Sequence, residues 1–145
     1  NTMYVYPQYL PQYVTVANIY ARGTQGADIA AADDLLGIAV YEDADAGADL
    51  GSATSADFAA TADVIFNITD VTLGPGFYRI GVCSGDASGI AYVAETLDDE
   101  FIDVANAGAV TIGTAANACV AGDPPTTTGA LTTADINIPV LKLGP

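Results

Sequence analysis

The sequence has no histidine and no tryptophan, a single methionine, two cysteines and only three basic residues, Arg22, Arg79 and Lys142. Without histidine the chain lacks the usual general base and the commonest transition-metal ligand. Neither a Ser-His-Asp nor a Cys-His arrangement can be assembled from its own residues. Two cysteines alone do not build a structural zinc site, and no glycine pattern matches a phosphate-binding loop or a dinucleotide fingerprint. Three bases stand against eighteen acids, a net charge of −15. Phosphate needs Lys and Arg opposite it, so nucleic acid and anionic membrane surfaces are excluded as partners. No apolar run approaches the ~20 residues of a membrane-spanning helix. Paired carboxylates can hydrolyse glycosides, but among eighteen acids some pair always lies close, and the signal has no specificity. The expectation is a protein that is not an enzyme.

A chain of 145 residues is long enough for one domain with its own core, taken here as residues 1–145. It opens on Asn1 with no initiator Met and no signal-peptide pattern, which reads as a processed product or a piece of a longer chain. Hydrophobic residues make up 51% of the chain, but many are Ala, so the core depends on a limited set of Val, Ile, Leu, Phe and Tyr. Fifteen of the acids are Asp, a residue of turns and loops. Such a surface is solvated and self-repelling, and it also suits salty water or bound cations.

The stretch 64–83, VIFNITDVTLGPGFYRIGVC, holds two runs of alternating apolar residues around a Gly-Pro-Gly corner. In the second run Phe77, Arg79, Gly81 and Cys83 share one face, and Tyr78, Ile80 and Val82 the other. Its long, mostly uncharged character predicts an interior strand. Strands are also expected over 14–22, with a bulge near Asn18 where Ile19 breaks the alternation, and over 35–41, 64–68, 71–73, 90–95, 110–112, 118–120 and 136–143. Pro7 and Pro11 make residues 1–13 an edge strand or an extended arm. Residues 23–28 and 121–130 read as loops and 42–57 as a long acidic connection. Residues 29–34 and 96–109 fit either helical turns or strand. Eight to ten short strands with regular turns and little helix predict an all-β, antiparallel, jelly-roll-like β-sandwich.

Three sets of residues are candidates for chemistry. Asp43, Asp45 and Asp49 alternate around Gly47, hard oxygen ligands of the kind that hold calcium. The spacing is not that of an EF-hand, so an acidic surface loop is the other reading. Asp98, Asp99, Glu100 and Asp103 form a second cluster, which fits a solvated loop or the first turn of a short helix. Tyr9, Tyr13, Tyr20 and Tyr92 are available as sugar-stacking platforms or as packing. Cys83 and Cys119 lie in strand-like runs, either paired, in an oxidising setting, or as two buried thiols.

The segments MYVYPQYLPQYVTVANI, LLGIAVYEDADAGADLGS and VTLGPGFYRIGVC, in that order, resemble a β-sandwich (jelly-roll) module of tailed-phage virion proteins. In that module a Tyr-Pro-x-x-x-Pro entry leads into the first strand. A Leu-Gly-Ile-x-x-Tyr strand then precedes an acidic, glycine-containing loop, and a Leu-x-Pro-Gly-x-Tyr-x-x-x-Val strand follows. The closing PVLKL is similar to the module's last strand. Gln12 replaces the basic residue that often follows the second proline, and 97–128 has no counterpart. The resemblance implies a structural or adhesive protein on the virion surface, a capsid decoration or a tail-fibre or receptor-binding domain. Its expected partners are copies of itself, as a trimer, other virion proteins and a surface glycan. The Leu-x-x-Gly-x-Tyr element also looks like secreted bacterial carbohydrate-binding modules. A third reading is an extracellular filament subunit joined by strand exchange through the N-terminal arm.

Overall fold

The computed structural model describes residues 2–22, 36–55, 63–84, 94–95, 113–133, 138–139 and 141–145. Its strands are β1 (Met3–Leu10), β2 (Val14–Arg22), β3 (Leu36–Glu42), β4 (Asp49–Ser55), β5 (Asp63–Leu73), β6 (Gly76–Ser84), β7 (Ala94–Glu95), β8 (Gly113–Ala115), β9 (Leu131–Thr133), β10 (Ile138–Pro139) and β11 (Leu141–Gly144). Nine of them form two antiparallel sheets. The large sheet has the order β4-β3-β6-β1-β8-β9 and the small one β11-β2-β5, while β7 and β10 pair as a short ladder. The protein is an all-β sandwich, as its alternation of apolar residues predicts.

The core forms where the two alternating patterns face each other. The large sheet contributes Tyr6, Leu10, Ile38, Val40, Ile80 and Val82. The small sheet contributes Val16, Ile19, Phe66, Ile68 and Leu73. Each large side chain removed from water here stabilises the fold by roughly 1.5–3 kcal/mol. The irregularity expected near Asn18 is present: the β2–β5 register shifts between Val16 and Asn18. Val71 stands opposite Val16 and Asn67 opposite Asn18, so the additional residues lie on β5. This one irregularity accounts for both Val16 and Ile19 being buried. It also explains why 64–68 and 71–73 read as two strands although they belong to one.

β6 is interior, paired with β3 on one side and β1 on the other. β5, by contrast, pairs with β2 in the small sheet. The Gly74-Pro75-Gly76 corner therefore carries the chain from one sheet to the other rather than closing a hairpin. The Tyr78 hydroxyl braces it by donating to the Gly74 carbonyl at 3.0 Å.

Several other expectations are corrected. β1 is not simply an edge: it pairs with β6 along its whole length and with β8 at Tyr4 and Val5. Pro7, which has no N–H, lies beyond that doubly paired stretch. The acidic connection 42–57 contains a strand, β4, because only its first half is turn-forming. Of 118–120, only Val120 makes a bridge, to Asp123. Pro139 ends β10, and the closing run is two short strands instead of one. The expectations for 23–34, 90–93, 96–109 and 110–112 lie outside the described residues.

The largest difference concerns 113–133. The segment 121–130, expected on the surface as a loop, lies across the outer face of the large sheet, where Thr128 is fully buried. Beneath it is a second apolar cluster of Met3, Val5, Ala39, Tyr41, Cys83 and Cys119, flanked by Ala115 and Leu131. The close approach depends on missing side chains. A Cβ at Gly37 would lie 1.8 Å from the Gly122 carbonyl oxygen, and one at Gly81 would lie 2.7 Å from the Tyr41 ring. Cys83 and Cys119 are disulfide-bonded, fixing the overlying segment to β6 across 36 positions of sequence.

Two outcomes follow from this packing. Replacing both cysteines, Cys83→Ala with Cys119→Ala, is expected to lower stability by about 4 kcal/mol in the chain-entropy account, read from the denaturant midpoint. Gly37→Ala is expected to cost about 1–3 kcal/mol through overpacking. An unchanged midpoint in Gly37→Ala would show that 122–124 does not rest on β3.

Candidate functional site

The outer face of the large sheet is divided in two. Its upper half lies under 116–130, the connection between β8 and β9. Its lower half is open and carries, from the covered edge downward, Arg79 and then the aromatic pair Tyr9 and Phe77. Strand alternation sets this order. Pro7 stands opposite Arg79 and Tyr9 opposite Phe77 in the β1–β6 register, while Tyr41 stands opposite Arg79 in the β3–β6 register.

Arg79 is 3% exposed, a cost that a buried cation sustains only with a partner. Its Nε donates to Asp43 Oδ1 at 2.8 Å. Asp43 is thereby committed to β6 rather than to the loop that it opens. Asp49 is committed elsewhere: it accepts from the Gly51 N–H at 2.8 Å and from Ser52 Oγ at 2.6 Å. Asp45 is exposed at the tip of the turn. The loop itself is held by its backbone. Ala46 N–H donates to the Gly129 carbonyl at 3.0 Å, Thr128 N–H to the Gly47 carbonyl at 3.1 Å, and Asp49 N–H to the Thr126 carbonyl at 2.9 Å. The three carboxylates singled out as a calcium set are thus directed to three different places. Among the described residues no group of three or more metal-ligating side chains converges. The cluster Asp98, Asp99, Glu100 and Asp103 lies outside the described residues.

Tyr41 sits fully buried between the sheet and the overlying segment. Its hydroxyl donates to the Pro125 carbonyl at 2.7 Å and also lies 3.3 Å from Met3 Sδ. Burial, with the negative charge of Asp49 as the smaller cause, pushes its phenol well above the ordinary value. It remains protonated at neutral pH and serves as a donor that ties 116–130 down. At the far end of that segment the Thr54 hydroxyl donates to the Asp123 carboxylate, and Asn117 Nδ2 donates to the Thr127 carbonyl at 2.9 Å.

The tyrosines named as sugar platforms are not gathered. Tyr13 is exposed in the β1–β2 turn, with its ring over Gly74. Tyr20 lies on the small sheet, its ring against Gly144 and its hydroxyl 3.4 Å from the Pro145 carbonyl. Tyr92 lies outside the described residues. Tyr9 does form a pair, but with Phe77: the ring centroids are 4.9 Å apart and the planes are tilted by 50°. The two rings are 53% and 48% exposed. Tilted aromatic pairs are favourable, and this one presents apolar area next to a neutralised Arg–Asp pair. Phe77 did not stand out in the sequence because its role depends on register with β1, which no local pattern reveals.

No protein family, curated protein or solved structure matches the chain. What the site can do is therefore read from its own groups: it offers aromatic surface, hydrogen-bonding loops and a high negative charge.

With Asp43 and Asp49 already engaged, the melting temperature is expected to be the same in excess calcium and in chelator. A rise of several degrees with calcium would show that the loop reorganises around the ion. Asp43→Ala is expected to destabilise by about 2 kcal/mol, the scale of a hydrogen bond to a charged group, measured by denaturant titration.

Proposed function

We propose that this chain is a non-enzymatic structural or adhesive protein displayed on the outside of a phage virion, as a capsid decoration or as a tail-fibre or receptor-binding domain. The observation that carries this reading is spatial. The three segments that resemble the phage module fall on β1–β2, on β3 with the start of β4, and on the end of β5 with β6. Their motif-bearing strands are hydrogen-bonded neighbours in the order β3-β6-β1. β2 and the end of β5, also within these segments, pair with each other in the facing sheet, so the resemblance follows paired strands of the sandwich rather than scattered loops.

In this reading the sandwich is the support and the open lower half of the large sheet is the contact surface. Tyr9 and Phe77 supply the apolar area for contact with another copy of the chain, with a neighbouring virion protein or with a surface sugar. The surplus of acids keeps displayed copies soluble and apart from nucleic acid. Since β1 is taken up by its own sheet, a filament held by donation of that arm loses its basis.

A second reading, a secreted carbohydrate-binding module, is supported by the buried Cys83–Cys119 disulfide, because such bonds persist in oxidising surroundings. Two measurements separate the readings. Antibody labelling of intact particles from the host culture is expected to decorate their exterior. Light scattering of the purified protein is expected to give a trimer, and Tyr9→Ser with Phe77→Ser to weaken its assembly or particle binding at least tenfold. Unlabelled particles together with selective binding on a glycan array would overturn the virion reading in favour of the module.

A further inference from the structure

The outer face of the small sheet carries a feature that neither the sandwich core nor the Tyr9–Phe77 surface uses. Asn67-Ile68-Thr69 is the single Asn-x-Ser/Thr sequence in the chain, the acceptor pattern for N-linked sugar. Its strand, β5, stands at the edge of the small sheet in the order β11-β2-β5. Asn67 is paired with Asn18 at the edge of the β2–β5 register shift, and Ile68 and Thr69 fall within the shift. Ile68 points into the core, whereas Asn67 and Thr69 are both exposed. From these positions we propose that Asn67 is a modification site carrying an N-linked glycan.

The side-chain geometry leaves room for the sugar. Asn67 Nδ2 donates to Asn18 Oδ1 at 3.2 Å. A primary amide has two N–H groups, and this bond uses one. In the transfer, Nδ2 forms a bond to C1 of an oligosaccharide carried on a lipid phosphate. The C1–O bond to phosphate breaks, the lipid phosphate leaves with the electron pair, and the second amide proton passes to a base of the transferase. The product keeps one N–H, so the bond to Asn18 survives. Asn18 in turn donates to the Pro145 carbonyl at 3.0 Å, continuing the contact across the small sheet.

A second observation points to the same occupant. Ile65, two residues before Asn67, is 60% exposed, one of the few large apolar side chains left in water. It stands beside Tyr20 in the β2–β5 register. The apolar face of the first sugar would cover this exposed side chain. Thr15 and Thr72 continue the same sheet with exposed hydroxyls in hydrogen-bond contact, and the exposed Asp70 follows Thr69, so the surroundings are polar. Transfer of such a sugar takes place on the export side of a membrane, in the setting that also favours the Cys83–Cys119 bond.

The test is peptide mass spectrometry on protein isolated from the organism that makes it, together with variants produced in the same organism. The peptide bearing Asn67 is expected to carry a saccharide mass on that residue. Thr69→Ser is expected to keep it, and Thr69→Ala and Asn67→Gln to lose it. Because the mass is read on the peptide, the outcome does not depend on how well a variant folds. An unmodified Asn67 peptide, or a saccharide that persists in Thr69→Ala, would overturn the proposal. Export across a membrane is the route of the secreted-module reading and not of a virion protein assembled inside its host cell, so a saccharide on Asn67 would count for the secreted module. Its absence would overturn this proposal and leave the choice between the two readings to the particle-labelling and glycan-array experiments.

Discussion

The fit of residues 116–130, the connection between β8 and β9, onto the outer face of the large sheet is the constraint on which most of the molecule depends. Gly37, Ala39 and Gly81 leave that face without bulk, and the Gly122 carbonyl occupies the space that a side chain would need. With the overlying segment in place, β6 is buried on both faces, one against the inter-sheet core and the other against Met3, Tyr41 and the disulfide. The same segment organises the acidic loop through its backbone hydrogen bonds to Ala46, Gly47 and Asp49. One packing event therefore sets the position of the second core, of the loop and of the boundary at which the sheet becomes open.

Electrostatics sharpen that boundary. A guanidinium buried at the edge of the covered region would be costly alone, and Asp43 offsets it. The pairing takes the loop's first acid out of competition for cations. It also leaves the aromatic surface beside it without a buried unpaired charge. An acidic protein thus presents one apolar area on the large sheet whose neighbouring charges are paired. Contact surfaces of this kind avoid the desolvation of charge that would oppose association.

How much of this is legible in the sequence depends on the range over which the cause acts. The strand alternation of 76–84, the irregularity near Asn18 and the assignment to a β-sandwich are visible because they follow from local periodicity. Pro7 correctly marks a limit on pairing, but it could not show that Tyr4 and Val5 find β8. Asp43, Asp45 and Asp49 look like one ligand set at the level of spacing. Their separation is decided by Arg79, 36 residues further on, and by the Gly51 N–H and Ser52 hydroxyl that hold Asp49. The glycines at 37 and 81 read as weak strand residues. Their purpose appears only once the overlying segment is known to press on them. The Tyr9–Phe77 pair is hidden for the same reason, since register between β1 and β6 joins residues far apart in the chain.

The Cys83–Cys119 bond also has a mechanical meaning. When force separates β1 from β11, the intervening chain straightens, but the 36 positions closed by the disulfide cannot extend. At about 3.5 Å per residue they withhold on the order of 120 Å of contour. β11, a four-residue strand paired among the described residues with β2, is placed to peel away first. β6, anchored on both sides and by the covalent bond, would be the last to yield. Under load, the middle of the chain would stay folded after its end had given way.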